Sequence, residues 1–115
     1  MFPSHSPQQA AIAAQLTAEI GAYERELEGL IERRWDPELY RSVSDRFDRM
    51  QMYAESLPGL STSWTELLIS RVELMHALWT ASSPSRMGGK VRACYAQHRE
   101  LLAEVRRKGR IFVPA

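Results

Sequence analysis

A chain of 115 residues with 44% apolar and 25% charged side chains holds enough apolar material for one packed domain and too much for wholesale disorder. A single cysteine, Cys94, excludes an internal disulfide framework and fits a reducing compartment. The net charge of +1 hides a division: residues 84–115 carry eight basic and two acidic side chains, the rest seven basic and twelve acidic.

The first predicted element is a helix over residues 7–34. Ser6 caps it, Pro7 suits the first helical position, and Gln9 completes a capping box. Leu16, Ile20, Tyr23, Leu27 and Leu30 then recur at spacings of three and four, which gathers them on one face. Asp36-Pro37 stops this helix and caps a second over 37–57, with Trp35 and Tyr40 placed as a hydrophobic staple across the cap. Its stripe is Tyr40, Val43, Phe47, Met50, Ala54 and Leu57, and Pro58-Gly59 ends it.

Ser63-Trp64-Thr65-Glu66 reads as another capping box, opening a third helix over 64–82. Its apolar positions (Trp64, Leu67, Leu68, Val72, Leu74, Met75, Leu78, Trp79) cover about 160° of the helix circumference. That is the widest stripe in the chain, so this helix is expected to be the most enclosed. A fourth helix over 84–108 follows Met87, Val91, Cys94, His98, Leu101 and Val105, with Gly88 and Gly89 each weakening its first turns by about 1 kcal/mol relative to alanine. Arg106, Arg107 and Lys108 complement the helix dipole in a last turn, and Gly109 suits a left-handed residue beyond it. A short apolar tail, 111–115, remains.

Four amphipathic helices with short connections predict an all-α fold, an antiparallel up-down-up-down four-helix bundle formed by residues 1–115 as one domain. The first helix, about 42 Å long, outreaches the third at about 28 Å. Its alanine-rich start is therefore expected to pack on a second copy, giving a homodimer. No basic segment followed by an apolar run marks a secretory signal, and no apolar run approaches the roughly 20 residues that span a bilayer. The expectation is a cytoplasmic protein without membrane association.

Arg71 falls inside the third stripe. A guanidinium in that position needs a carboxylate, a ligand anion or water at the bundle edge, so Arg71 is a candidate anion or ion-pair site. Cys94 and His98, four apart on one helix face, have a spacing that serves metal ligands. With no neighbour to complete a tetrahedral set, they read as a buried thiol and a hydrogen-bonded core histidine. Glu73 and His76 match half of a di-iron Glu-x-x-His pattern, but only one copy is present. Arg92, Arg99 and Arg106 form a row at intervals of seven, about 10.5 Å apart. The row suits either a polyanion or the glutamates Glu19, Glu24, Glu26, Glu28 and Glu32 of the first helix, and the interhelical pairing is preferred. Residues 85–90 suggest a phosphate loop but lack the spacing and the preceding strand. The tail residues Ile111, Phe112 and Val113 are costly to leave in water. They are expected either to fold back on the Leu57–Leu60 turn and Trp64 or to dock into a partner.

No spacing supports a catalytic constellation, and neither a cofactor nor a metal is expected. The first reading is a non-enzymatic protein-interaction or regulatory adaptor protein with a protein partner and a homodimeric state. The alternative is a nucleic-acid-binding regulator using the basic fourth helix, and a third is a helical enzyme or small-anion binder centred on Arg71.

Overall fold

The computed structural model describes residues 7–32, 36–80 and 89–112. Four helices fill them: α1 Pro7–Glu32, α2 Pro37–Glu55, α3 Ser61–Thr80 and α4 Gly89–Gly109, followed by a single 3₁₀ turn at Arg110–Phe112. They form an antiparallel up-down-up-down bundle. Ser6, Trp35, residues 81–88 and Val113 lie outside the described residues, and with them fall the first cap, one half of the staple and the 85–90 loop.

Local chemistry sets the helix ends. Asp36 accepts hydrogen bonds at Oδ1 from the backbone N–H of Glu38 (3.0 Å) and of Leu39 (3.4 Å), so two of the donors that open α2 are satisfied. Between α2 and α3, Gly59 takes φ +87°, a left-handed conformation that residues with a Cβ rarely adopt. α3 then begins three residues before the expected start. The Trp64 N–H donates to the Leu60 carbonyl at 2.8 Å, and Ser63 lies buried inside the first turn instead of capping it. Leu60 and Trp64 are both buried, and enclosing them needs the helix wound up to the turn. Gly109 also differs from expectation. The left-handed glycine among the described residues is Gly59, not Gly109, and the chain instead runs on from α4 into the 3₁₀ turn.

Each helix contributes part of its predicted stripe to one core: Leu16, Ile20, Tyr23, Leu27 and Leu30 from α1, Val43, Phe47, Met50 and Ala54 from α2, Leu67, Leu74 and Leu78 from α3. In α4 the core row runs through Val91, His98, Leu102 and Val105, with Leu101 half-buried beside it. α1 packs most extensively on α2, and α3 on α4. The two hairpins meet along thinner seams, of which α2–α3 is the sparsest. Ion pairs register the first hairpin. Arg46 reaches Glu26 at 2.8 Å and Glu19 at 3.1 Å, Arg49 reaches Glu19 at 3.1 Å, and the Ser42 hydroxyl donates to Glu26.

α3 buries eight of its 20 residues, the largest share of the four helices, but its predicted stripe is not enclosed throughout. Val72 is 59% exposed and Trp79 70% exposed, with Leu68 also exposed. An apolar arc of about 160° is wider than the side a corner helix presents to a four-helix core, so its outer part wraps beyond the interior. No helix among the described residues is long and apolar enough to cross a membrane.

Candidate functional site

A chain of polar side chains crosses the interior between the hairpins. The Tyr23 hydroxyl lies 2.8 Å from His98 Nε2, and His98 Nδ1 lies 2.7 Å from Ser70 Oγ. Ser70 donates to the Leu67 carbonyl at 2.8 Å. The Arg71 charge lies near the Tyr23 hydroxyl. Ser70 gives its hydrogen to the Leu67 carbonyl, so it accepts from His98, and the Tyr23 hydroxyl gives its own proton to His98 Nε2. That leaves the histidine proton on Nδ1, directed at Ser70 Oγ. Every donor in this row then meets an acceptor, which fixes the His98 tautomer.

The burial of this row sets its acid–base chemistry. Burial, assisted by the nearby Arg71 charge, lowers the His98 pKa to about 4, so the ring is neutral at physiological pH. Burial pushes the Tyr23 hydroxyl well above its usual range, against a smaller opposing pull from Arg71. The Ser70–His98 pair resembles a nucleophile and its base. However, Tyr23, Ser70 and His98 are all buried, and both imidazole nitrogens are engaged. A substrate carbonyl has no approach to this serine, so the row acts as a polar strut within the core.

Arg71 is half-buried in the α2–α3 seam. Its Nη2 donates to Ser44 Oγ at 2.8 Å, and its guanidinium carbon sits 4.8 Å from the centroid of the Phe47 ring. Trp64 stacks on the same ring, centroid to centroid 4.7 Å. Among the described residues no carboxylate forms an ion pair with Arg71. Two buried donors, Arg71 Nε and Trp64 Nε1, have no hydrogen-bond acceptor. The guanidinium is thus met by the Ser44 hydroxyl and an aromatic face, without a compensating negative charge among the described residues.

The basic row of α4 turns toward α1. Arg106 Nη2 lies 2.6 Å from Glu24 Oε1. Arg99 sits over the Tyr95 ring at 5.6 Å, and both arginines line a polar cleft of about 440 Å³ that includes Glu24, Arg25 and Glu28. Arg92 is exposed. Cys94 is half-buried, and among the described residues no group of three or more His, Cys, Asp or Glu is placed to hold a metal.

At the opposite pole from the α1–α2 connection, Phe112 is buried and Ile111 is 61% exposed. Both line an apolar groove of about 520 Å³ with Pro58, Gly59 and Leu60, edged by Gln9, Arg107 and Lys108. Arg107 and Lys108 each pair with Glu104 on their own helix.

The outer side of α3 carries the largest group of exposed apolar side chains. Leu68, Ile69, Val72 and Trp79 are 36%, 56%, 59% and 70% exposed. Ile69, Val72, His76 and Trp79 follow one another at steps of three, four and three, the spacing of a helix–helix seam. Glu66 and Glu73, one heptad apart, border this row on one side. On the other side, Asp48 and Glu55 of α2 lie four and eleven residues beyond Ser44, on the side of α2 that meets Arg71. None of these four acids joins an ion pair among the described residues. Ile69 and His76 are the members absent from the predicted stripe, although their three-four-three spacing with Val72 and Trp79 stands in the sequence.

No family model, curated protein or solved structure matches this chain.

Proposed function

We propose that the chain is a non-enzymatic protein-interaction module. Its docking surface is the outer face of α3, and its partner is an amphipathic helix of another protein whose apolar row is flanked by lysine or arginine. The exposed row Leu68, Ile69, Val72 and Trp79 carries this reading. An apolar arc that extends past the core leaves large side chains in water at a free-energy cost, and large apolar patches on a surface mark interaction sites. The acidic borders select the partner. Glu66 and Glu73 on one side, with Asp48 and Glu55 on the other, complement a helix edged with basic residues. The homodimer expected from the sequence fits this face less well, because an antiparallel pairing of two α3 helices sets Glu66 and Glu73 against their own copies. Nucleic-acid binding by α4 draws less support, since Arg106 is directed at Glu24.

Two synthetic helical peptides test the reading, both with leucine at the a and d positions, one flanked by lysine and the other by glutamate. The lysine peptide is expected to bind about tenfold more tightly, the combined effect of several exposed ion pairs. Val72→Glu is expected to abolish binding without loss of helical circular dichroism. Binding of neither peptide, or binding unaffected by Val72→Glu, overturns the proposal. A dimer in sedimentation that Val72→Glu dissociates replaces the proposed partner with a second copy.

A further inference from the structure

The α2–α3 seam contains a positive charge without a paired carboxylate and two buried hydrogen-bond donors without an acceptor among the described residues. We infer that Arg71 and Trp64 form a binding site for a small monocarboxylate, inserted in the seam between α2 and α3.

The chemistry of the seam selects the ligand. A half-buried guanidinium needs negative charge or acceptors, since a charge removed from water is costly until paired. Arg71 makes a single side-chain hydrogen bond to α2, through Nη2 to Ser44 at 2.8 Å, and its Nε is buried with no acceptor. The planar guanidinium fork matches the two oxygens of a carboxylate. Trp64 Nε1 is a second buried donor with no acceptor, held against the Phe47 ring that Arg71 also covers. All the polar groups in question donate, so the missing partner is an acceptor. One arginine balances one negative charge, and a dianion would leave an uncompensated charge beside Phe47 and Trp64. The aromatic surroundings favour a weakly hydrated organic acid over a strongly hydrated inorganic ion.

The place in the fold agrees with this. The α2–α3 seam is sparser than the α1–α4 seam between the same two hairpins, and it is bridged by the bulky Phe47, Trp64 and Arg71 side chains. The site is distinct from the outer α3 face: Arg71 and Trp64 point to the side of α3 that meets α2, and Val72 and Trp79 point to solvent.

Benzoate, acetate, sulfate and chloride at matched ionic strength test the inference by thermal melting and by NMR of the Trp64 indole N–H and Arg71 Nε–H. Benzoate and acetate are expected to raise the melting temperature saturably and to shift both resonances, whereas sulfate and chloride do neither. Arg71→Met is expected to fold, having no internal carboxylate to orphan, and to lose the carboxylate response. Trp64→Phe keeps a ring on Phe47 and is expected to weaken the response severalfold. A response that survives Arg71→Met, an equal response to sulfate, or no saturable shift with either carboxylate overturns the inference. Failure of Arg71→Met to fold leaves the wild-type resonances to decide between these outcomes. Peptide binding at Val72 is read separately, so loss of one site does not stand in for loss of the other.

Discussion

A proton on His98 has nowhere to go in the folded bundle. Its Nε2 already accepts from Tyr23, its Nδ1–H already points at Ser70, and Arg71 adds positive charge nearby. Burial first and that charge second lower the pKa from 6.5 to about 4. Between those values the unfolded chain binds a proton that the folded chain refuses. The contribution of neutral His98 is therefore fully present above pH 6.5, shrinks as the pH falls, and is gone below about 4. Converted at 1.36 kcal/mol per unit, the loss is roughly 3 kcal/mol. Urea unfolding at neutral pH and near pH 4 is expected to show a drop of this order in the wild type and a much smaller one in His98→Gln. Equal drops in both proteins assign the acid sensitivity to other groups. At this scale the sequence was only partly legible. His98 reads as a hydrogen-bonded core histidine and Arg71 as a charge out of place, because both interrupt apolar stripes. Tyr23 reads only as a stripe member and Ser70 not at all. Spacing assigns a face of a helix, but it does not say which side chain waits opposite, and Tyr23 and His98 stand 75 residues apart.

The helices themselves follow from their ends and periodicities, and Gly59 is the tightest case. Its φ of +87° allows α2 to reverse into α3 within the few residues from Leu57 to Leu60, both of which are buried. A Cβ there meets no atom within 4 Å, so a substitution suffers from backbone conformation alone. Gly59→Ala is expected to lower stability by about 1 kcal/mol, with the helical circular dichroism of the folded state unchanged. No measurable loss indicates that the turn relaxes to negative φ. Element boundaries were legible where a cap and a proline coincide, as at Asp36-Pro37. They were misplaced at Ser63, where a capping box lies inside a helix whose start is set by the burial of Leu60 and Trp64. Breadth was a partial guide in the same helix, whose buried share is the largest of the four while Leu68, Val72 and Trp79 of its stripe are exposed. A wide apolar arc suggests enclosure only when all of it faces the core, and periodicity carries no record of where a neighbouring helix stops.

The arrangement of the whole bundle brings three separate ends to one pole: the start of α1, the α2–α3 turn and the close of α4. This is why a tail that looks idle in the sequence finds a surface. The 3₁₀ turn after Gly109 buries Phe112 beside the groove formed by Pro58, Gly59 and Leu60, and leaves Ile111 61% exposed. The two neighbours therefore have opposite weights, although hydropathy alone ranks them together. Removing the buried ring costs its transfer free energy together with the cavity left at the pole, about 3 kcal/mol for Phe112→Ala, whereas Ile111→Ala is expected within about 0.5 kcal/mol of wild type. Leu60→Ala is expected to destabilise as well, and to add less than its full loss when combined with Phe112→Ala, because the two side chains line one groove. Chemical denaturation of the four proteins measures all of these terms. Equal small effects at positions 111 and 112, or full additivity of Leu60→Ala with Phe112→Ala, means that the tail does not close this pole. The contrast with the α3 face is then informative. Val72→Glu changes an exposed position and is expected to leave stability within about 0.5 kcal/mol while abolishing peptide binding. Loss of stability at the pole together with loss of peptide binding alone at Val72 is the pattern expected if the apolar residues at the pole hold the fold together and the outer side of α3 serves the proposed partner.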